Sequence, residues 1–200
     1  LNYLLFIKGA ACIFSSLEKR ITNILIQESH FEVEREKILF GVRMILNDFW
    51  KFIIVYIIAM LLDCFLATLV AHLVFYFLRQ VCFGFHFQNN LVCLIASITT
   101  LPISVYIIKN MNYFQEYMTI VAAISSLILA IFAPAETKKR PVYNQRHKTF
   151  LRKKLLIRLL IIWAIIFVLY NNVITNFISF GVTLIAVFVL FQKLAGGKLK

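Results

Sequence analysis

Long apolar runs dominate this sequence: residues 52–78, 91–108, 113–135, 155–170 and 173–191 consist almost wholly of aliphatic and aromatic side chains. A helix needs about 20 residues to cross the hydrocarbon core of a bilayer, and each of the last four runs is close to that length. A water-soluble chain must cover its exterior with polar groups, whereas lipid-facing surface carries no such demand. The 62% hydrophobic content and mean hydropathy of +0.86 agree with the runs. The predicted fold is an all-α polytopic membrane protein forming one domain over residues 1–200.

Charge then sets the expected topology. The formal net charge is +12. In a membrane chain this excess is a topology signal and an attraction for anionic lipid or an acidic partner, so no nucleic-acid partner is expected. Segment 136–154 carries Lys138, Lys139, Arg140, Arg146, Lys148, Arg152, Lys153 and Lys154 against Glu136, and Arg158 follows. The positive-inside rule makes this basic loop cytoplasmic. Two crossings back, segment 79–90 falls on the same side, and a final hairpin near Asn171 and Asn172 returns the tail there. The run 52–78 either crosses once or breaks near Asp63 and shares in two crossings, the first starting around Ile38. An acid inside an apolar run is costly in lipid and favours the break. About six crossings with both ends inside is the resulting expectation.

Residues 1–50 differ in character. Charged residues such as Glu32, Glu34, Arg35 and Lys37 alternate with Phe31, Val33, Ile38 and Leu39. That mixture suits amphipathic helices lying in the headgroup boundary, although a soluble helical hairpin fits the same pattern. The cysteines Cys12, Cys64, Cys82 and Cys93 form no CxxC pair, and His30, His72 and His147 do not cluster. No disulfide framework, metal site or cofactor is expected.

The segment Arg79-Gln-Val-Cys-Phe-Gly-Phe-His-Phe-Gln-Asn-Asn-Leu-Val-Cys93 begins at the end of one apolar run and finishes inside the next. Gly84 permits a turn that other residues resist. Asn90 is the predicted N-cap of the following helix, which puts Cys93 in its first turn. Unpaired N–H groups and the positive end of the helix dipole favour thiolate over thiol at such a position, and the same N–H groups suit an oxyanion. His86 is a candidate general base and acid. On one straight helix seven residues would separate it from Cys93 by about 10 Å, so the chain must bend between them. Spacing alone leaves other readings open. A buried Cys is commonly just a small hydrophobe, a boundary His commonly snorkels, and Cys82 is a rival nucleophile.

The residues Arg79, Gly84, His86 and Cys93 resemble, at their mutual spacing, the accessory gene regulator B family of membrane endopeptidases that process quorum-sensing propeptides. A second motif, Ala133-Pro-Ala-Glu-Thr-Lys-Lys-Arg-Pro141, resembles the family's Ala-Pro-Ala-x-Thr-basic-basic-basic-Pro segment. With the amphipathic start and the order of apolar segments, the resemblance covers nearly the whole chain. It implies a bacterial cell-membrane cysteine endopeptidase with Cys93 as nucleophile and His86 as base. Its implied substrate is a short propeptide with an amphipathic leader and an acidic C-terminal region. Cleavage would give an acyl-thioester and then a thiolactone ring. The resemblance also implies a homodimer, and Lys138, Lys139 and Arg140 are candidates for holding the acidic part of the substrate. Arg79 would pair with a substrate carboxylate or brace the loop against a phosphate headgroup. Two departures stand out: Phe83 occupies a position where relatives often carry Gly or a polar residue, and Phe87 replaces a small residue. Ala96 stands where some relatives have Glu, which leaves Gln88, Asn89 and Asn90 as candidates for orienting His86. A non-enzymatic transporter or peptide-export component is the competing class, with Asp63 and His72 as its sparse ionisable groups.

Overall fold

The computed structural model describes residues 20, 23–24, 35–84, 89–111, 115–135, 144–170 and 172–196. Its elements are α1 (Arg35–Leu61), α2 (Phe65–Cys82), α3 (Asn90–Ile98), a π-helical turn (Thr99–Ile103), α4 (Ser104–Asn110), α5 (Gln115–Phe132), α6 (Gln145–Val168) and α7 (Ile174–Gly196). The predicted helical character holds, and no strand occurs among the described residues. Phe65–Cys82, Leu91–Asn110 and Ile174–Leu194 are long and apolar enough to cross a membrane, and Tyr117–Phe132 is a shorter apolar helix.

Residues 1–54 and 55–200 form separate compact units. In the first, Lys51 pairs with Asp48 at 3.7 Å one turn away, while Phe49 and Trp50 are exposed. The amphipathic helices expected within residues 1–50 lie mostly outside the described residues. From Arg35 onward the chain is one helix that continues past residue 50 to Leu61.

The break anticipated near Asp63 is present. α1 ends at Leu61, α2 starts at Phe65, and Asp63 turns the chain at φ +51°. Asp tolerates the left-handed region better than most side chains. Lys109 at the end of α4 donates to the Asp63 backbone carbonyl and lies 3.3 Å from its carboxylate. Nearby, the Cys64 thiol donates to the Pro102 carbonyl at 3.7 Å. Pro102 supplies no N–H, and the chain widens into the π-helical turn around it.

α7 packs chiefly on α2 and α5. A Cβ built at Gly181 would stand 2.7 Å from the Ala71 carbonyl oxygen and 2.9 Å from the Val74 Cβ. Only glycine permits this approach of two helices, the close packing that holds helices together where lipid removes a hydrophobic drive. On α6, Leu151, Leu155, Leu159, Ile162 and Ile166 are buried along one stripe, while Leu156, Leu160 and Phe167 are exposed. The exposed aliphatic stripe is the face suited to lipid.

The contacts fix directions. Arg158 of α6 meets Phe77 of α2, while Arg152, nearer the start of α6, meets Ala133 just past the end of α5. α6 therefore runs antiparallel to α2 and α5. Pro102 meets the start of α2, while Ile98 packs on the same buried cluster as Phe75 and Phe188, so α3 begins towards the C-terminal end of α2. That end gathers the last turn of α2, the first turn of α3, the exit from α5, the entry to α6 and the later part of α7.

Candidate active site

α2 does not stop at Leu78, where its apolar run ends. It continues to Cys82, so Arg79 sits in its last turn rather than in a loop. The Arg79 guanidinium lies over the rings of Phe75 and Phe188, 5.5 Å from each centroid, and its Nη1 is buried. A planar guanidinium between aromatic faces is held by cation–π attraction while its stem packs with the core. Arg79 thus ties α2 to α7.

The chain leaves α2 through two left-handed residues, Phe83 at φ +60° and Gly84 at φ +101°. A Cβ at Gly84 would come within 3.4 Å of the Phe188 backbone and 3.5 Å of Arg79 Nη1. Those are ordinary contact distances, so glycine is needed there for its dihedral rather than for the space. Phe83 adopts a conformation that L side chains resist. Glycine would meet no strain at such a position.

Here the two sequence motifs meet. The Ala135 N–H donates to the Cys82 carbonyl oxygen at 2.9 Å, and Phe83 and Ala135 form a parallel β-bridge. Ala133 and Ala135 are fully buried, so larger side chains have no room. The basic segment that follows in sequence, with Lys138, Lys139 and Arg140, lies outside the described residues, and so does His86. The joint therefore fixes where both segments depart from the bundle.

α3 brings a correction. Asn89, not Asn90, is the N-cap: it is extended, and its Oδ1 accepts the Leu91 N–H at 2.9 Å. Asn90 is the first helical residue. Adjacent asparagines offer equivalent cap chemistry, and capping from Asn89 gives the helix one more residue and one more backbone bond. Cys93 moves one place deeper, and its N–H donates to the Asn89 carbonyl at 2.9 Å. Its own N–H is thereby spent, whereas the N–H groups of Asn90 and Val92 precede the helix's i→i−4 pattern and remain suited to an anion. Cys93 is partly exposed. Cys82, the rival nucleophile, is wholly buried, and no substrate reaches its thiol.

In the sequence Arg152 and Arg158 read as topology charges and as part of a basic loop able to attract the acidic part of the substrate, with no structural partner assigned. Arg152 Nε donates to the Ala133 carbonyl at 3.3 Å. Arg158 donates from Nη1 to the Phe77 carbonyl and from Nη2 to Gln80 Oε1 at 3.0 Å, with its guanidinium 4.5 Å from the Phe77 ring centroid. The available signal was the position of Arg158 inside the apolar run 155–170, where a charge requires a partner. Asp63 and His72, the groups that suggested a transport path, are accounted for otherwise. Asp63 is exposed at a helix turn, and His72 Nδ1 shares a hydrogen bond with the Tyr56 hydroxyl at 3.0 Å.

Comparison with known proteins agrees with the two motifs. A family model described as Accessory gene regulator B matches residues 18–191. Accessory gene regulator protein B of Staphylococcus saprophyticus is 28% identical over 155 residues, covering 78% of this chain and 81% of its own. A putative AgrB-like protein of Listeria innocua is 30% identical over 152 residues, 74% of either chain. Accessory gene regulator protein B of Staphylococcus lugdunensis is 31% identical over 132 residues, 66% of this chain and 70% of its own. No solved structure matches.

Proposed function

The chain belongs to the accessory gene regulator B family, and from that premise we propose that this membrane protein is a cysteine endopeptidase that processes a quorum-sensing propeptide. The observation that carries the reading is Cys93: a partly exposed thiol in a capped first helical turn, at the bundle end where the two family motifs are hydrogen-bonded together. His86, on the segment between Gly84 and Asn89, takes the thiol proton. The Cys93 sulfur attacks a peptide carbonyl near the propeptide's C-terminal end, and N–H groups of the first turn, those of Asn90 and Val92, face the oxyanion. His86 returns the proton to the leaving amine, the C-terminal fragment departs, and an acyl-thioester to Cys93 remains.

A cysteine of the peptide then attacks that thioester. Its proton passes through His86 to the Cys93 sulfur, and a thiolactone leaves. One thioester replaces another, so neither water nor ATP is consumed, and keeping water away from the intermediate favours the ring over hydrolysis. A site at the bilayer boundary serves that need.

The same reading assigns the surroundings. The chain forms one membrane-embedded peptidase domain with about six crossings, supported by the helix break at Asp63 and the antiparallel run of α6 against α2 and α5. The end bearing Cys93 faces the cytoplasm of a bacterial cell, because the basic segment enters the bundle there. The amphipathic region 1–50 lies in the interface and helps gather the leader of the propeptide. Lys138, Lys139 and Arg140 attract its acidic tail, and two copies of the chain work as a homodimer.

Co-expression with a cognate propeptide tests the assignment. Cys93→Ser and His86→Ala each abolish cleavage, and Cys82→Ser leaves it intact. Normal cleavage by Cys93→Ser overturns the reading.

A further inference from the structure

Three helix ends are locked together beside the candidate site, and one side chain closes the lock. α2 and α5 are joined by the bond from the Ala135 N–H to the Cys82 carbonyl. α5 and α6 are joined by Arg152 on the Ala133 carbonyl. α6 and α2 are joined by Arg158 on the Phe77 carbonyl and Gln80. We propose that Arg158 is a positioning residue for the reaction, fixing the last turn of α2 and with it the Phe83–Gly84 turn from which the segment bearing His86 departs. The inference rests on the endopeptidase reading above.

The chemistry of Arg158 suits this task better than a topology role. Its Cα lies more than a turn inside α6 from the basic stretch that ends at Lys154, on a stretch of the helix otherwise aliphatic. A cation kept there solely for orientation would be placed with the others, where water solvates it at no cost. The guanidinium instead spends two separate N–H groups on two acceptors one turn apart on α2 and lays its face on the Phe77 ring. Lysine has the charge but not the planar fork, and it cannot reproduce that grip. Phe77 and Gln80 flank Arg79, and the turn at Phe83 and Gly84 begins directly after this part of the helix. A small rotation of the last turn shifts the point at which the chain leaves the bundle at Gly84. Misplacement of a reacting group by about 1 Å is enough to cost of the order of 100-fold in rate.

The test is a double-substitution cycle read through the thiol, with the full-length protein in phospholipid nanodiscs and iodoacetamide as the probe. Mass spectrometry follows alkylation of Cys93 at neutral pH. His86→Ala slows alkylation, because the base has gone. Arg158→Lys also slows it, by about fivefold or more if the imidazole is displaced by a fraction of that distance. In the His86→Ala background, Arg158→Lys has no further effect, since nothing remains for it to position. Gln80→Leu, at an exposed helix position, gives a smaller slowing and adds little to Arg158→Lys. A general loosening of the bundle would slow or speed alkylation alike in both backgrounds, and that outcome overturns the proposal. So does an unchanged rate in Arg158→Lys alone. If His86→Ala itself leaves the rate unchanged, the endopeptidase reading fails first, and the role given to Arg158 falls with it.

Discussion

The two ends of the helical bundle use the same devices for different purposes. At one end Asp63 turns the chain in the left-handed region and Lys109 holds its backbone carbonyl. At the other, Phe83 and Gly84 turn the chain in left-handed conformations while Arg158 and Arg152 hold the backbone carbonyls of Phe77 and Ala133. The difference lies in burial and in what the turn delivers. Asp63 is fully exposed and its pairing with Lys109 is open to solvent, so salt and water screen it. The Phe83–Gly84 turn is backed by buried Ala133, Ala135 and Cys82 and precedes a partly exposed thiol. A tied helix end is ordinary in a membrane bundle. A tied end enclosed by core and followed by the proposed nucleophile is the candidate site.

Substitutions break or sharpen this contrast. The largest effect belongs to Gly84→Ala, which puts a Cβ on a residue held at φ +101°, a conformation that L side chains resist. Propeptide cleavage, measured in membranes with expression matched by blotting, falls by about 100-fold or more if the turn is displaced by an ångström. Activity near that of the unmodified chain would show that the turn is not coupled to the chemistry. Gly181→Val comes next. Its side chain meets the Ala71 carbonyl and Val74, and overpacking of this kind costs about 1–3 kcal/mol, read as a lower midpoint of thermal unfolding in detergent.

A finer comparison isolates backbone strain. Phe83→Ala and Phe83→Gly lose the same aromatic packing, but only glycine relaxes at φ +60°. The glycine variant is more stable than the alanine variant by about 1–2 kcal/mol. Equal midpoints would contradict the strain assigned to this position. The smallest effect is expected at the opposite end. Asp63→Asn keeps a residue that tolerates the left-handed region and removes only an exposed charge. Neither cleavage nor the unfolding midpoint changes measurably, and a large loss of cleavage would erase the distinction between the two ends. For the basic segment, replacing Lys138, Lys139 and Arg140 together by Ala weakens processing more at low salt than at high, because salt already screens the attraction in the unmodified chain.

Much of this architecture is legible in the sequence, and the reasons differ by feature. The apolar runs declare a membrane protein because lipid demands them, and Asp63 betrays a helix break because a charge in such a run demands an explanation. The candidate site residues Arg79, Gly84 and Cys93 are singled out through their spacing and the family resemblance. The cap is misread by one place because Asn89 and Asn90 are chemically interchangeable and only the fold chooses between them. The bond from Ala135 to Cys82 is invisible in sequence, since two short motifs about forty residues apart say nothing of how the helices between them pack. Arg158 is conspicuous as a charge, yet its partners on α2 follow only from the antiparallel packing of α6.

The central claim is that Cys93 carries the acyl group, and trapping the intermediate tests it most directly. A propeptide whose internal cysteine is replaced by alanine can be cut but cannot close its ring. Incubated with the protein in nanodiscs and quenched in acid, it should leave the N-terminal fragment attached to the peptide containing Cys93, as an adduct cleared by neutral hydroxylamine and missing from Cys93→Ser. Cleavage of the propeptide without any adduct on Cys93, or cleavage that survives in Cys93→Ser, would contradict the account.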